Sequence, residues 1–166
     1  MVELAACCAE DFEDYYAVRC GESDIFWMGY EGPPARETMH RVFMSRLGTN
    51  SFENPGDKRI YMIRADGRNV GFIQFSLSEE GLEFGYSVLD QERGKGYGSA
   101  GMKLAVALAR HYHENCFAHI RDDNIASQKA MMKAGLVPTE DAELKFFPAG
   151  GPGPYRKYIL PPSAEK

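Results

Sequence analysis

The alternation of apolar and polar positions divides this chain into many short elements. Residues 2–6 read as an opening strand. Glu10 and Asp11 begin a helical stretch in which Phe12, Tyr15, Tyr16 and Val18 share an apolar face through about Arg19. Between residues 21 and 34, Gly21, Gly29, Gly32, Pro33 and Pro34 predict a loop, because they interrupt any long regular element. That loop carries Ile25, Phe26, Trp27, Met28 and Tyr30, more apolar surface than a solvated connection needs. Its rings either cap the core or line a pocket. Residues 35–47 form a second amphipathic pattern, with Met39, Val42, Phe43 and Leu47 inward.

Three strands are expected next as a meander over residues 59–64, 70–77 and 82–88, turning at Asp66-Gly67 and at Glu79-Glu80-Gly81. In the third, Phe84, Tyr86 and Val88 alternate with Glu83, Gly85 and Ser87. After a polar break at Asp90-Gln91-Glu92, Gly94, Gly96, Gly98 and Gly101 lead into a helix. Residues 116–120 suit a buried parallel strand. Asn124 is placed to cap a helix running to Ala134, with Gly135 ending it. Residues 144–147 and 155–160 are expected to pair around the loop PAGGPG, and residues 161–166 to fray.

At 166 residues the chain is sized for one domain with its own core. A net charge of -5 argues against broad nucleic-acid binding, which wants a basic face. Cys7, Cys8, Cys20 and Cys116 lack the spacing of a zinc site, so no metal is expected, and all four read as reduced thiols of a cytoplasmic protein. No apolar run approaches ~18 residues, and the first residues lack a basic region followed by an apolar one. Neither a membrane partner nor export is expected.

The chemistry concentrates where the third strand meets the glycines. Strand, glycine-rich turn and helix N-terminus make an anion site, because the first helical N–H groups lack partners and the helix dipole adds positive charge. A pyrophosphate-bearing ligand is the first expectation. A P-loop would need Ser or Thr after its Lys, but Lys95 is followed by Gly96. Gly96-Tyr97-Gly98-Ser99-Ala100-Gly101 is literally G-x-G-x-x-G, yet it follows an antiparallel meander rather than opening a parallel sheet.

Arg93-Gly94-Lys95-Gly96-Tyr97-Gly98 matches R/Q-x-x-G-x-G/A, and Asn124-Ile125-Ala126-Ser127 leads to Lys133-Ala134-Gly135-Leu136. In these two motifs, in this order with one strand between them, the chain resembles the GNAT N-acetyltransferase family. Glu83-Phe84-Gly85-Tyr86 is most similar to the branch of ribosomal-protein N-terminal and polyamine acetyltransferases. The resemblance implies an α/β (α+β) single domain over residues 1–160, with a central, mixed, mostly antiparallel sheet of six to seven strands and about four helices. It also implies acetyl-CoA as co-substrate, a small-molecule or peptide N-terminal amine as acceptor, and a monomer or homodimer.

Residue by residue, the resemblance puts the pyrophosphate on N–H groups of Gly94, Lys95, Gly96, Tyr97, Gly98 and Ser99 beside Arg93, and the pantetheine arm along the strand toward Val88. Asn124 and Ser127 resemble positions that contact the cofactor, although both also make sense as helix-start residues. An amine with a pKa near ~10 must lose a proton before attack, and Glu83 is the candidate base. The tyrosine that family members often use as general acid is replaced here by Met131. Tyr97 is the next candidate, with Tyr86, Tyr155 and Tyr158 also in contention. Met131 also keeps a second reading open, an acyl-CoA sensor without transfer activity. Trp27 and Tyr30, near Glu22, Asp24 and Glu31, are expected to receive the amine, since aromatic faces with carboxylates attract an ammonium.

Overall fold

The computed structural model of the chain describes residues 1–47, 52–147 and 151–163. Among them the elements run β1 (Val2–Ala6), α1 (Phe12–Arg19), α2 (Glu22–Met28), α3 (Arg36–Ser45), β2 (Lys58–Ala65), β3 (Arg68–Ser78) and β4 (Gly81–Val88). They continue with α4 (Tyr97–Ala109), β5 (Cys116–Arg121), α5 (Ile125–Lys133), β6 (Val137–Phe147) and β7 (Gly151–Ile159). One seven-stranded sheet has the order β1-β2-β3-β4-β5-β7-β6. Every neighbouring pair is antiparallel except β4 and β5.

The meander forms as the turn chemistry requires. Asp66 and Gly67 both have positive φ, 49° and 78°, which makes a two-residue turn between β2 and β3. Strand β2 is buried on both faces. Tyr61, Ile63 and Ala65 join a core cluster with Met102, Ala105, Val106 and Ala109 of α4. Ile60 and Met62 join another with Phe12, Tyr15 and Val18 of α1 and Met39 and Phe43 of α3. The register of β2 with β3 skips Val70, a bulge that turns this residue onto the α4 side with Ile73 and Phe75.

Two expectations are corrected. Residues 22–28 are helical, not loop. The flanking glycines bound the helix instead of forbidding it, with Gly29 ending it at φ 72°. Its start is capped from far along the chain: Asp90 accepts from Glu22 N at 2.7 Å and from Ser23 N at 3.3 Å. The closing strands are also longer than expected, β6 starting at Val137 directly after Gly135 and Leu136. Residues 148–150 of the PAGGPG turn and residues 164–166 of the expected tail lie outside the described residues.

The parallel pair positions the site. β4 and β5 are in register only at Leu82–Cys116 and Glu83–Phe117, after which β5 continues beside β7. From Phe84 to Val88, β4 therefore stands apart from β5, leaving a gap in the sheet with backbone groups turned toward it.

Candidate active site

Two cavities flank that gap. The smaller, about 260 Å³, is lined by Val88, Glu92, Arg93, Gly94, Gly96, Tyr97, Gly98 and Ser99, with Ala126, Lys129, Ala130 and Lys133 of α5 opposite. Gly94 and Gly96 adopt left-handed backbone (φ 79° and 84°), and a Cβ at either would meet no other atom within 4 Å. The turn thus leaves open space over its backbone N–H groups at the start of α4, the geometry that accepts an anion. Gly98 has a different reason to be glycine: a Cβ there would stand 2.6 Å from the Tyr86 ring. Lys95 donates to Glu92 at 2.9 Å and is not itself among the lining residues. Glu92 is buried and also takes Arg68 at 3.1 Å, so both cations hold its carboxyl below the usual range.

Lys129 and Lys133 were not singled out from the sequence as phosphate ligands, although Lys133 stands in the second motif. They are four apart on α5, one turn of one face. With Arg93 they give the smaller cavity three cationic side chains beside a glycine turn. This donor set fits a pyrophosphate.

The larger cavity, about 590 Å³, lies on the α1–α3 side of the sheet. Its floor is β4, where strand alternation puts Glu83, Gly85 and Ser87 on one face. A Cβ on Gly85 would meet nothing within 4 Å, so the floor is open there. His119 of β5 holds Glu83 through Nδ1 and Oε1 at 2.8 Å, and its ring stacks on Tyr155 of β7, with centroids 5.2 Å apart at 11°. Burial, with the Glu83 charge beside it, pushes the Tyr155 hydroxyl up to about 12.

Trp27 and Tyr30 both line this cavity, while Phe26 beside them is 58% exposed. The guanidinium of Arg121 lies 5.3 Å from the Trp27 ring centroid and 5.6 Å from that of Phe26. Of the three nearby carboxylates only Asp24 reaches the cavity, and it is buried against Arg19 at 3.0 Å. Glu22 and Glu31 are exposed and do not line it.

Asn124 and Ser127 line the larger cavity rather than the glycine turn. Asn124 caps α5, its Oδ1 accepting from Ser127 N at 3.2 Å, and Ser127 Oγ hydrogen-bonds the Tyr86 hydroxyl at 3.3 Å. Tyr86 lines both cavities. Burial raises its pKa, so the hydroxyl keeps its proton at neutral pH. Tyr97 and Glu83, the two catalytic candidates, lie in different cavities, and Met131 is buried at the edge of the larger one.

Among the described residues no group of three or more His, Cys, Asp and Glu side chains could hold a metal ion. No helix among them is long and apolar enough to cross a membrane.

Comparison with solved structures returns the same architecture. A spermidine N-acetyltransferase from Vibrio cholerae, in complex with CoA and spermine, superposes with a TM-score of 0.80 at 13% identity, covering 96% of this chain and 94% of that one. An acetyltransferase of the GNAT family from Bacillus anthracis gives 0.75 at 18% identity, with 96% and 93% covered. RimL, a ribosomal L7/L12 α-N-protein acetyltransferase in complex with CoA, gives 0.77 at 14% identity, with 99% and 96% covered. At these identities the likeness is one of fold. No curated protein matches the chain. A family model described as an acetyltransferase (GNAT) domain matches residues 2–137, so the chain belongs to the GNAT family of acetyl-CoA-dependent acetyltransferases.

Proposed function

We propose that this chain transfers the acetyl group of acetyl-CoA to a primary amine held in the larger cavity, acting as a single cytoplasmic domain over residues 1–160. The observation that carries the reading is Tyr86, which lines both cavities, so ligands seated in the two meet beside its hydroxyl. The thioester supplies an activated acyl group. Everything else is done by the chain.

In the smaller cavity the N–H groups from Gly94 to Ser99, with Arg93, Lys129 and Lys133, hold the pyrophosphate. The free edge of β4 from Phe84 to Val88 offers backbone groups to the pantetheine arm, as an added strand would find. Asn124 and Ser127 hold the far end of that arm, next to Tyr86. In the larger cavity Glu83, oriented by His119, takes the proton from the incoming ammonium, directly or through water. Tyr86 is a protonated hydroxyl at the junction and serves the departing thiolate as acid, while Tyr97 stays with the phosphate-binding turn. Trp27 and Tyr30 wall the acceptor.

A thiol-release assay with acetyl-CoA over a panel of primary amines tests this. Amine-dependent release with a matching mass gain on the amine supports it. CoA binding without release for any amine would make the protein a sensor on the same fold.

A further inference from the structure

The charges of the larger cavity say something about the acceptor that amine acetylation alone does not require. Its lining holds four cationic side chains, Arg19, Arg46, Lys58 and Arg121, against two carboxylates, Asp24 and Glu83. Arg19 and Asp24 neutralise each other at 3.0 Å, and Glu83 is held by His119 at 2.8 Å. Arg121 makes two bonds to Asp123, at 3.0 and 2.9 Å. Arg46 and Lys58 remain. Arg46 donates to the neutral amide of Gln74, and no described carboxylate forms an ion pair with either residue. Arg19 Nε, moreover, is buried with no hydrogen-bond partner among the described residues.

Burial pulls the Arg46 pKa down, and the neighbouring Arg19 charge pulls the same way. A half-buried guanidinium without a counter-ion is costly, and a ligand that brings an anion removes the cost. Lys58 also stands off from the base. Lys58 pairs with Ser76 and Ser76 with Glu83, one row across β2, β3 and β4. At ~4.8 Å per strand this puts Lys58 and Glu83 roughly 10 Å apart at Cα. Gln74, which holds Arg46, pairs with Gly85 of the open floor.

We propose that the acceptor is an amine that also carries a carboxylate or phosphoryl group, its nitrogen at Glu83 and His119 and its anion at Arg46 and Lys58. This rests on the acetyl-transfer reading and narrows it. A polyamine would bring further cations toward Arg46 and Lys58 and be repelled. Arginine suits the role because its fork meets the two oxygens of a carboxylate or phosphoryl group together.

The test compares kcat/KM for matched amines: 4-aminobutyrate against butylamine, phosphoethanolamine against ethanolamine, and spermidine as the polycation. The anion-bearing member of at least one pair is expected to lead its neutral partner by about tenfold or more, which is ~1.4 kcal/mol. The pair that shows the preference tells carboxylate from phosphoryl. Arg46→Met and, as a second variant, Lys58→Met should erase the preference by raising KM for the anionic amine, with CoA affinity by calorimetry unchanged. Neutral amines or spermidine used as well as the anionic ones would overturn this inference and leave acetyl transfer standing. No turnover with any amine, while CoA still binds, would overturn both.

Discussion

At position 83 strand alternation and sheet register act together. Alternation turns the carboxylate toward the open floor at Gly85, and the Glu83–Phe117 register brings His119, two residues on, within 2.8 Å. Glu83→Gln keeps the size and one acceptor oxygen but removes the basic charge. It is expected to lower kcat by about 10²–10⁴ with CoA affinity unchanged, most severely at low pH where the ammonium must be deprotonated. An unchanged kcat across pH would take Glu83 out of the mechanism. Glu83 was legible as a candidate because the strand and the glycine turn after it were legible. Its bond to His119 was not, because the pairing of β4 with β5 depends on long-range register. Tyr86 was one of several tyrosines in contention, and its place between two cavities, with Gly98 packed on its ring, was not legible either.

Among the elements, α2 shows what local pattern misses. Its seven residues lie between two glycines, and its cap is supplied by Asp90 across 68 positions of chain. No local rule detects such a cap, so the glycines read as a loop. Asp90→Ala should cost ~1 kcal/mol of stability, as the loss of an N-cap does. Because Trp27 rides on α2, the same change should raise KM for the amine. A lower Tm with KM for the amine intact would mean that Trp27 belongs to the core alone. Strand β4 offers a complementary change: Gly85→Val adds a side chain over the open floor, and should raise the acceptor's KM while CoA affinity holds. Equal KM in parent and variant would move the acceptor elsewhere. The strands of the meander, by contrast, were readable in advance, since Asp66-Gly67 marks the first turn and Glu79-Glu80-Gly81 the second.

For the whole molecule, the order of motifs carried the fold, and charge placement carried what the motifs could not. Arg46 of the turn after α3, Lys58 of β2 and the lysines of α5 are far apart in sequence, and only the folded sheet gathers them around two cavities. Where helix and sheet join, Asp11 is buried and accepts from Asn69 at 3.0 Å and Arg64 at 3.3 Å, and from Cys8 N at 3.0 Å. Burial alone would raise its pKa, but these bonds and the Arg64 charge outweigh it and the pKa is lowered. A carboxylate with a depressed folded pKa stabilises fully above its unfolded value near ~3.9, and that contribution fades as pH falls through the folded value. Asp11→Asn should cost about 1–3 kcal/mol at pH 7 and flatten the loss of Tm on acidification. A parallel loss in parent and variant would show that Asp11 contributes nothing to the pH dependence.

The two-cavity arrangement stands or falls on the smaller cavity, and titration of CoA by calorimetry addresses it directly. The parent is expected to bind one CoA per chain, and to be stabilised by ~2.7 kcal/mol when CoA is present at about 100 times its Kd. Lys129→Glu with Lys133→Glu, both exposed on α5, should weaken binding by about tenfold or more, ~1.4 kcal/mol or greater, without lowering the Tm of the free protein. Equal affinity in parent and variant, or NAD bound as tightly as CoA, would contradict the account.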